Sequence, residues 1–340
     1  MSDRTTLRRL LAAGGAGLAL AFASPALAAA DKPGEGITVT PATSSIAEEI
    51  FQTKIIMTAL EELGYDVKEH VELEYPTMHL GIANGDITFA TTHWDPLHTA
   101  FYDKAGGAET LWRSGAYVSN SLQGYLIDRK TAEAHGIKTV EDLKKPEIAT
   151  LFDADGDGKA DLTGCNPGWG CERVIEHHLD EYGLRDTVEH NQGSYFALMA
   201  DTMTRFKKGD PILYYTWTPL WVSGVLVPGE DVQWLEVPYT SLPDGQEAKT
   251  ELADGRNLGF AVNDQKIIAT KAWIEKNPAA AALFEAAELP VNDVSAQNLK
   301  MQNGEDSQAD IERHAKEWIA ANRATFDDWL TQARAAASEG

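Results

Sequence analysis

Two segments far apart in this chain share one pattern: Trp94-Asp95-Pro96-Leu97 and Trp217-Thr218-Pro219-Leu220. Each follows an apolar, strand-like run, one ending at Thr91 and the other at Tyr215. Asp95 and Thr218 read as helix N-caps, with Pro96 and Pro219 as first helical residues. A chain that repeats such a strand-to-helix junction is constrained to two α/β units. Ligands of open α/β sheets bind at the carboxyl edge of the strands, so the pattern sets one tryptophan from each unit where two lobes can close on a solute.

The surrounding periodicity agrees. Residues 37–40 alternate as a strand, and Ser45-Ile46-Ala47-Glu48 reads as a capping box opening a helix to Leu63, where Gly64 ends it. A strand near 65–71, a short helix and a strand at 87–91 complete a β-α-β-α-β order, the signature of a mostly parallel sheet. The pattern restarts at Gly124, with a strand at 125–127, a capped helix at 139–143 and a buried strand at 211–215. The tail beyond Lys271 is helical, and its Trp273, Phe284, Trp318 and Trp329 suit packing against a sheet. The expected fold class is α/β, in two lobes that each hold a mostly parallel sheet flanked by helices.

Arg4, Arg8 and Arg9 precede an apolar run at 10–23 and a small-x-small site at Pro25-Ala26-Leu27-Ala28, so residues 1–28 read as a signal peptide. Arg8-Arg9 leaves twin-arginine export as the alternative to the general route. No later run approaches about 18 consecutive apolar residues, so the mature protein is expected to be soluble, in an oxidising compartment. The formal charge of −23 repels phosphate backbones and excludes nucleic acid as a partner.

The only two cysteines bracket a tryptophan in Cys165-Asn166-Pro167-Gly168-Trp169-Gly170-Cys171. A bridge closing so short a ring would remove roughly 2 to 3 kcal/mol of chain entropy, so shaping a local backbone explains the placement better than stapling a fold. Together, Trp94, Trp169 and Trp217 offer three indole faces. Such a cage suits a quaternary ammonium, each face contributing about 0.5 to 2 kcal/mol when water is excluded. The run from Gly168 to Ile175 reads as a helix entrance, which turns the N–H groups of Gly170 and Cys171 outward as an anion cradle. His98, expected near the third position of the helix after Trp94, can donate to the same carboxylate. A cation cage beside a carboxylate cradle describes a betaine.

Two other motifs compete. Asp153, Asp155, Asp157 and Asp161 stand at the first, third, fifth and ninth positions of an EF-hand-like loop with Gly158 at the sixth, but Gly164 replaces the bidentate Glu at the twelfth. The readings are a weak structural calcium site or an acidic turn bracing the approach to Cys165. Glu176, His177, His178 and Asp180 suggest a metal-dependent hydrolase, although adjacent histidines diverge by about 100° on a helix and suit a solvated face better. No nucleophile elbow, His-Glu-x-x-His or phosphate loop occurs. No cofactor is required, and no catalytic residue is assigned.

Nearly the whole mature chain resembles the periplasmic glycine betaine and proline betaine-binding proteins of osmoprotectant ABC importers, through Asn166 to Glu172, Tyr214 to Pro219 and Trp94 to His98. The resemblance implies a type II-like periplasmic binding fold with two crossovers, a box of Trp94, Trp169 and Trp217, carboxylate contacts from His98, Gly170 and Cys171, a Cys165 to Cys171 bridge, and delivery to an inner-membrane permease. The chain is expected to be a monomer, with lobe one at 29–122 plus 262–340 and lobe two at 123–261. Hinges are expected near Leu122-Gln123-Gly124 and Gly259-Phe260-Ala261. Choline, carnitine and dimethylsulfoniopropionate are the alternative ligands. One departure stands out: His93 and Asp95 flank Trp94 where the family pattern has Asn and Thr, which brings a carboxylate close to the expected ammonium.

Overall fold

The structure, a computed structural model, describes residues 31–339, and the expected signal peptide lies outside the described residues. Two five-stranded sheets carry the architecture. The first runs Val71–Glu72, Pro41–Thr43, Phe89–Asp95, Asn263–Thr270, Leu111–Ser121 across its width. The second runs Val232–Trp234, Gln123–Asp128, Leu213–Trp217, Ala160–Thr163, Val188–Asn191.

Both sheets are mixed, which corrects the expectation of mostly parallel ones. The registers give the reason. Asp264, at the start of its strand, lies opposite Asp95 at the end of its own, and Gln123, starting a strand, lies opposite Trp217, ending one. A strand that begins where its neighbour ends runs antiparallel to it. Gln123–Asp128 and Asn263–Thr270 are the two strands the chain enters on passing from one sheet to the other, so each starts at the edge between the sheets. The strands joined by helices stay parallel.

Phe89–Asp95 is buried at every position before Asp95, as expected of a strand covered on both faces. One cover is the helix Ile50–Glu62, buried on most sides beneath the helix Gln308–Ala321. Lys54 on this helix pairs with Glu69 and Glu312. The tail aromatics share the core cluster under this helix: Phe284 lies 5.2 Å from Phe89 of the sheet between ring centroids, while Trp318 stacks on Trp329 of the following helix.

Two local expectations fail. The Ser45 to Glu48 capping box does not form; a 3-10 turn, Ala47–Glu49, precedes the helix without a side-chain cap. Ser44 accepts the Ile46 N–H instead and donates to Glu49 at 2.6 Å. Tertiary partners draw both glutamates away: Glu49 into the interior, and half-buried Glu48 to Trp221, with burial pushing its pKa up to about 7. Likewise Asp95 and Thr218 cap no helix. Both following prolyl bonds are cis, and after Pro96 the helix starts only at Thr99, with His98 at its N-cap rather than its third position.

Candidate functional site

The loop Asn166 to Glu172 shows how a short sequence fixes a tryptophan. Asn166 accepts the N–H of Tyr195 at the head of the next helix, at 2.7 Å. Gly168 takes a left-handed φ of 90°, open to glycine at no steric cost. Glu172 returns to accept the Gly168 N–H at 2.6 Å, and the Cys165 to Cys171 disulfide closes the ring. Trp169 is thereby the N-cap of the helix Gly170–Glu181. The N–H groups of Gly170 and Cys171 lie in its first turn, where no intrahelical acceptor exists. A Cβ on Gly170 would fall 2.7 Å from Leu97 of the other lobe, so glycine here lets the lobes meet.

All six residues expected from sequence to hold the ligand line one pocket: Trp94, Trp169, Trp217, His98, Gly170 and Cys171. The tryptophans are each 4 to 5% exposed. Trp169 and Trp217 meet edge to face at 5.7 Å between centroids and 80° between planes. Tyr195 backs both, 4.7 Å from Trp217 and 6.2 Å from Trp169, its hydroxyl donating to Thr216.

Trp94 stands differently. Its indole N–H donates to the buried carboxyl of Glu49 at 2.9 Å, and Tyr75 and Ser44 donate to the same group. Burial raises the pKa of Glu49, against the lowering effect of these donors. His98 is buried, and burial, then neighbouring His79, keeps it neutral with a pKa well below the usual value. Its Nδ1 accepts the backbone N–H of Trp94, which places the proton on Nε2 as a donor.

Sequence reasoning missed Glu49, and also the cavity-lining Ile46, Tyr75, Leu97, Gln123 and Tyr215. The Tyr215 hydroxyl donates to Gln123 at 2.5 Å. The one available signal lay in the paired glutamates at the helix start, of which Glu48 reads as capping and Glu49 has no assigned role.

Asp95 is engaged elsewhere: its carboxylate pairs with Lys266 at 2.7 Å and Arg113 at 3.0 Å. His79, His93 and His98 bring ring nitrogens within 4.8 Å of one another. Their hydrogen bonds suit a neutral relay better than a metal. Arg113, which can only donate, approaches His93 Nε2, so His93 Nδ1 carries a proton toward His79 Nε2, and His79 Nδ1 donates to the Tyr75 carbonyl. A divalent ion there would break the His79 to His93 bond and face the guanidinium.

In the second lobe, His178 corrects the solvated-face reading. It is fully buried, with Tyr125 on one ring nitrogen and the Ser241 carbonyl on the other, while Glu176 engages His190 and Arg185. In the acidic loop, Asp153, Asp155 and Asp161 gather oxygens within 4.8 Å of one another, without Asp157. Asp153 accepts the N–H groups of Gly156 and Gly158, which hold its pKa below the usual range.

A family described as "Substrate binding domain of ABC-type glycine betaine transport system" matches residues 37–321. The chain is 56% identical over 311 residues to the glycine betaine-binding periplasmic protein OusX of Dickeya dadantii, covering 91% of this chain and 94% of that one. It is 53% identical over 308 residues to the glycine betaine/proline betaine-binding periplasmic protein of Escherichia coli, covering 91% and 93%. Among solved structures, the lactococcal OpuAC in closed form with glycine betaine superposes with a TM-score of 0.66 at 21% identity, over 86% of this chain and 99% of that one. An ABC-transporter choline-binding protein with choline gives 0.68 at 20%, over 89% and 97%. At such identities these two structures speak to the fold alone.

Proposed function

Because the chain belongs to the substrate-binding domains of ABC-type glycine betaine transport systems, solute-binding proteins rather than enzymes, we propose that it captures glycine betaine, and with it proline betaine, and delivers it to an inner-membrane ABC permease for osmoprotection. The observation that carries this reading is the convergence of three indoles and three carboxylate donors, from distant parts of the sequence, on one buried cavity. The indole faces attract the methylated ammonium, which needs no hydrogen bonds. The first-turn N–H groups of Gly170 and Cys171, with the neutral Nε2–H of His98, hold the carboxylate.

Selectivity follows from the same chemistry. Free glycine would surrender the water around its primary ammonium and find no acceptors among the indoles. Choline, without a carboxylate, would leave the cradle empty. The cradle is what favours a betaine over choline, while carnitine and dimethylsulfoniopropionate retain both poles.

In this reading the lobes comprise residues 29–122 plus 262–340 and residues 123–261, with hinges near Gln123 and Phe260, and they close as a monomer. The site of action is the periplasm, reached by the N-terminal signal peptide. Among the described residues no helix is long and apolar enough to cross a membrane. The acidic loop is a turn bracing the approach to Cys165, or a weak calcium site through Asp153, Asp155 and Asp161; a rise in melting temperature on calcium addition that Asp155→Asn abolishes selects the second reading.

The function is tested by calorimetric titration of the mature protein, stripped of co-purified ligand, with glycine betaine, choline and glycine in parallel. Tight binding of the betaine, with weak choline and silent glycine, is the expected result. Equal binding of choline removes the carboxylate cradle from the account, and no heat from any of them removes the whole reading.

A further inference from the structure

Three indoles supply negative quadrupole but no formal charge, and the cavity that holds a cation this way is lined by uncharged groups: burial keeps His98 neutral, and Asp95 is committed to Arg113 and Lys266. One carboxyl stands directly behind the cage. Glu49 is 5% exposed, and its Oε1 accepts the Trp94 indole N–H and the Tyr75 hydroxyl, each at 2.9 Å, while Oε2 accepts Ser44. An indole N–H only donates. The group therefore receives a hydrogen bond from the one cage residue whose ring it can polarise.

We propose that Glu49 is the counter-charge of the bound ammonium, acting through the Trp94 indole, and so sets the site's preference for a cation over a neutral group of the same shape. This rests on the functional reading above. A carboxylate accepting an indole N–H pushes electron density into the ring and strengthens the face that meets the cation. The three donors on its oxygens hold it as a carboxylate against the desolvation that raises its pKa, so a negative charge stands behind that face where water screens little. The ligand never touches Glu49, so the ammonium gains from the charge without displacing the three donors that solvate it. Direct contact would require the carboxylate to give up a hydrogen bond inside an apolar cavity. Glu49 is thus a positioning and polarising residue, and its effect should appear in the cation-dependent part of affinity alone.

A neutral isostere separates the two contributions. Glycine betaine and 3,3-dimethylbutanoate share shape and carboxylate and differ in nitrogen against carbon, so the ratio of their affinities reads the cation term. Titrating both at pH 7.5, Glu49→Gln is expected to weaken betaine about tenfold while leaving 3,3-dimethylbutanoate within about twofold. Equal losses for both ligands would make Glu49 a support for the Trp94 ring and nothing more, which overturns the proposal, as does an unchanged ratio. If Glu49→Gln fails to fold, Glu49→Asp keeps the charge but draws it back from the indole. A smaller fall in the same ratio is then expected, and no fall overturns the proposal. Failure of the unaltered protein to bind betaine in the same titration would instead defeat the functional reading.

Discussion

The two tryptophan turns share a sequence pattern and a cis proline, yet they hold their indoles by different means. Trp217 is fixed by aromatic surroundings: Tyr195 at 4.7 Å, Trp169 at 5.7 Å and Tyr215 at 6.0 Å between centroids. Trp94 is fixed by polar ones, with Glu49 on its indole N–H and the His98 ring nitrogen on its backbone N–H. One half of the box is a packed aromatic cluster and the other an end of a buried hydrogen-bond network. The difference teaches that a repeated motif fixes where a side chain stands, while tertiary neighbours decide what electrical environment it brings.

The largest expected effect concerns acid, and it reaches both lobes. Burial holds His79, behind Trp94, and His178, in the second lobe, at pKa values of about 4. An unfolded histidine titrates near 6.5. Between roughly 6.5 and 4 the unfolded chain binds protons that the native one refuses, so stability is full above this window and falls as pH drops through it. Each histidine accounts for about 3 kcal/mol across the full window. Glu48, raised to about 7, works in the opposite direction and offsets about one of the two histidines, so denaturant unfolding at pH 7.5 and 4.5 should show a net loss; a net gain at pH 4.5 would contradict the buried, neutral placement.

Next come the tryptophans. Trp94→Ala and Trp217→Ala should each weaken glycine betaine roughly a hundredfold by calorimetry, since both a cation face and a wall against water are lost. Phenylalanine sharpens the contrast. Trp94→Phe leaves Glu49 without the indole donor and should destabilise the protein by about 1 to 3 kcal/mol more than Trp217→Phe, whose surroundings are aromatic. Equal melting temperatures for the two variants would erase the distinction between the turns.

A smaller change is expected at the carboxylate pole. His98→Gln should cost roughly tenfold in betaine affinity and leave choline almost untouched. Smallest of all, Asp95→Thr should keep betaine binding within about tenfold, because Arg113 and Lys266 already occupy that carboxylate. A larger loss would mean that Asp95 reaches the ligand.

What the sequence disclosed and what it hid divide along physical lines. Trp169, Gly170 and Cys171 were legible because their loop is built from local devices: a glycine with positive φ, a side chain returning four residues later, a helix start. Trp94 and Trp217 were legible as junction residues, although the capping roles given to their neighbours were wrong: Thr218 accepts from the Leu122 N–H of the crossover instead. Glu49 was hidden because its partner Trp94 lies 45 residues away, and a nearby Ser-x-x-Glu pattern explained the acidic helix start locally. Strand direction was hidden for a related reason, since it depends on which strands receive a crossover rather than on alternation within any of them.

The most direct test of this account is a crystal structure of the mature protein with glycine betaine. The account predicts the trimethylammonium against the faces of Trp94, Trp169 and Trp217, the carboxylate accepting from the Gly170 and Cys171 N–H groups and His98 Nε2, and Glu49 still on the Trp94 indole. A ligand bound outside this cavity, or seated with its carboxylate toward the indoles, would contradict it.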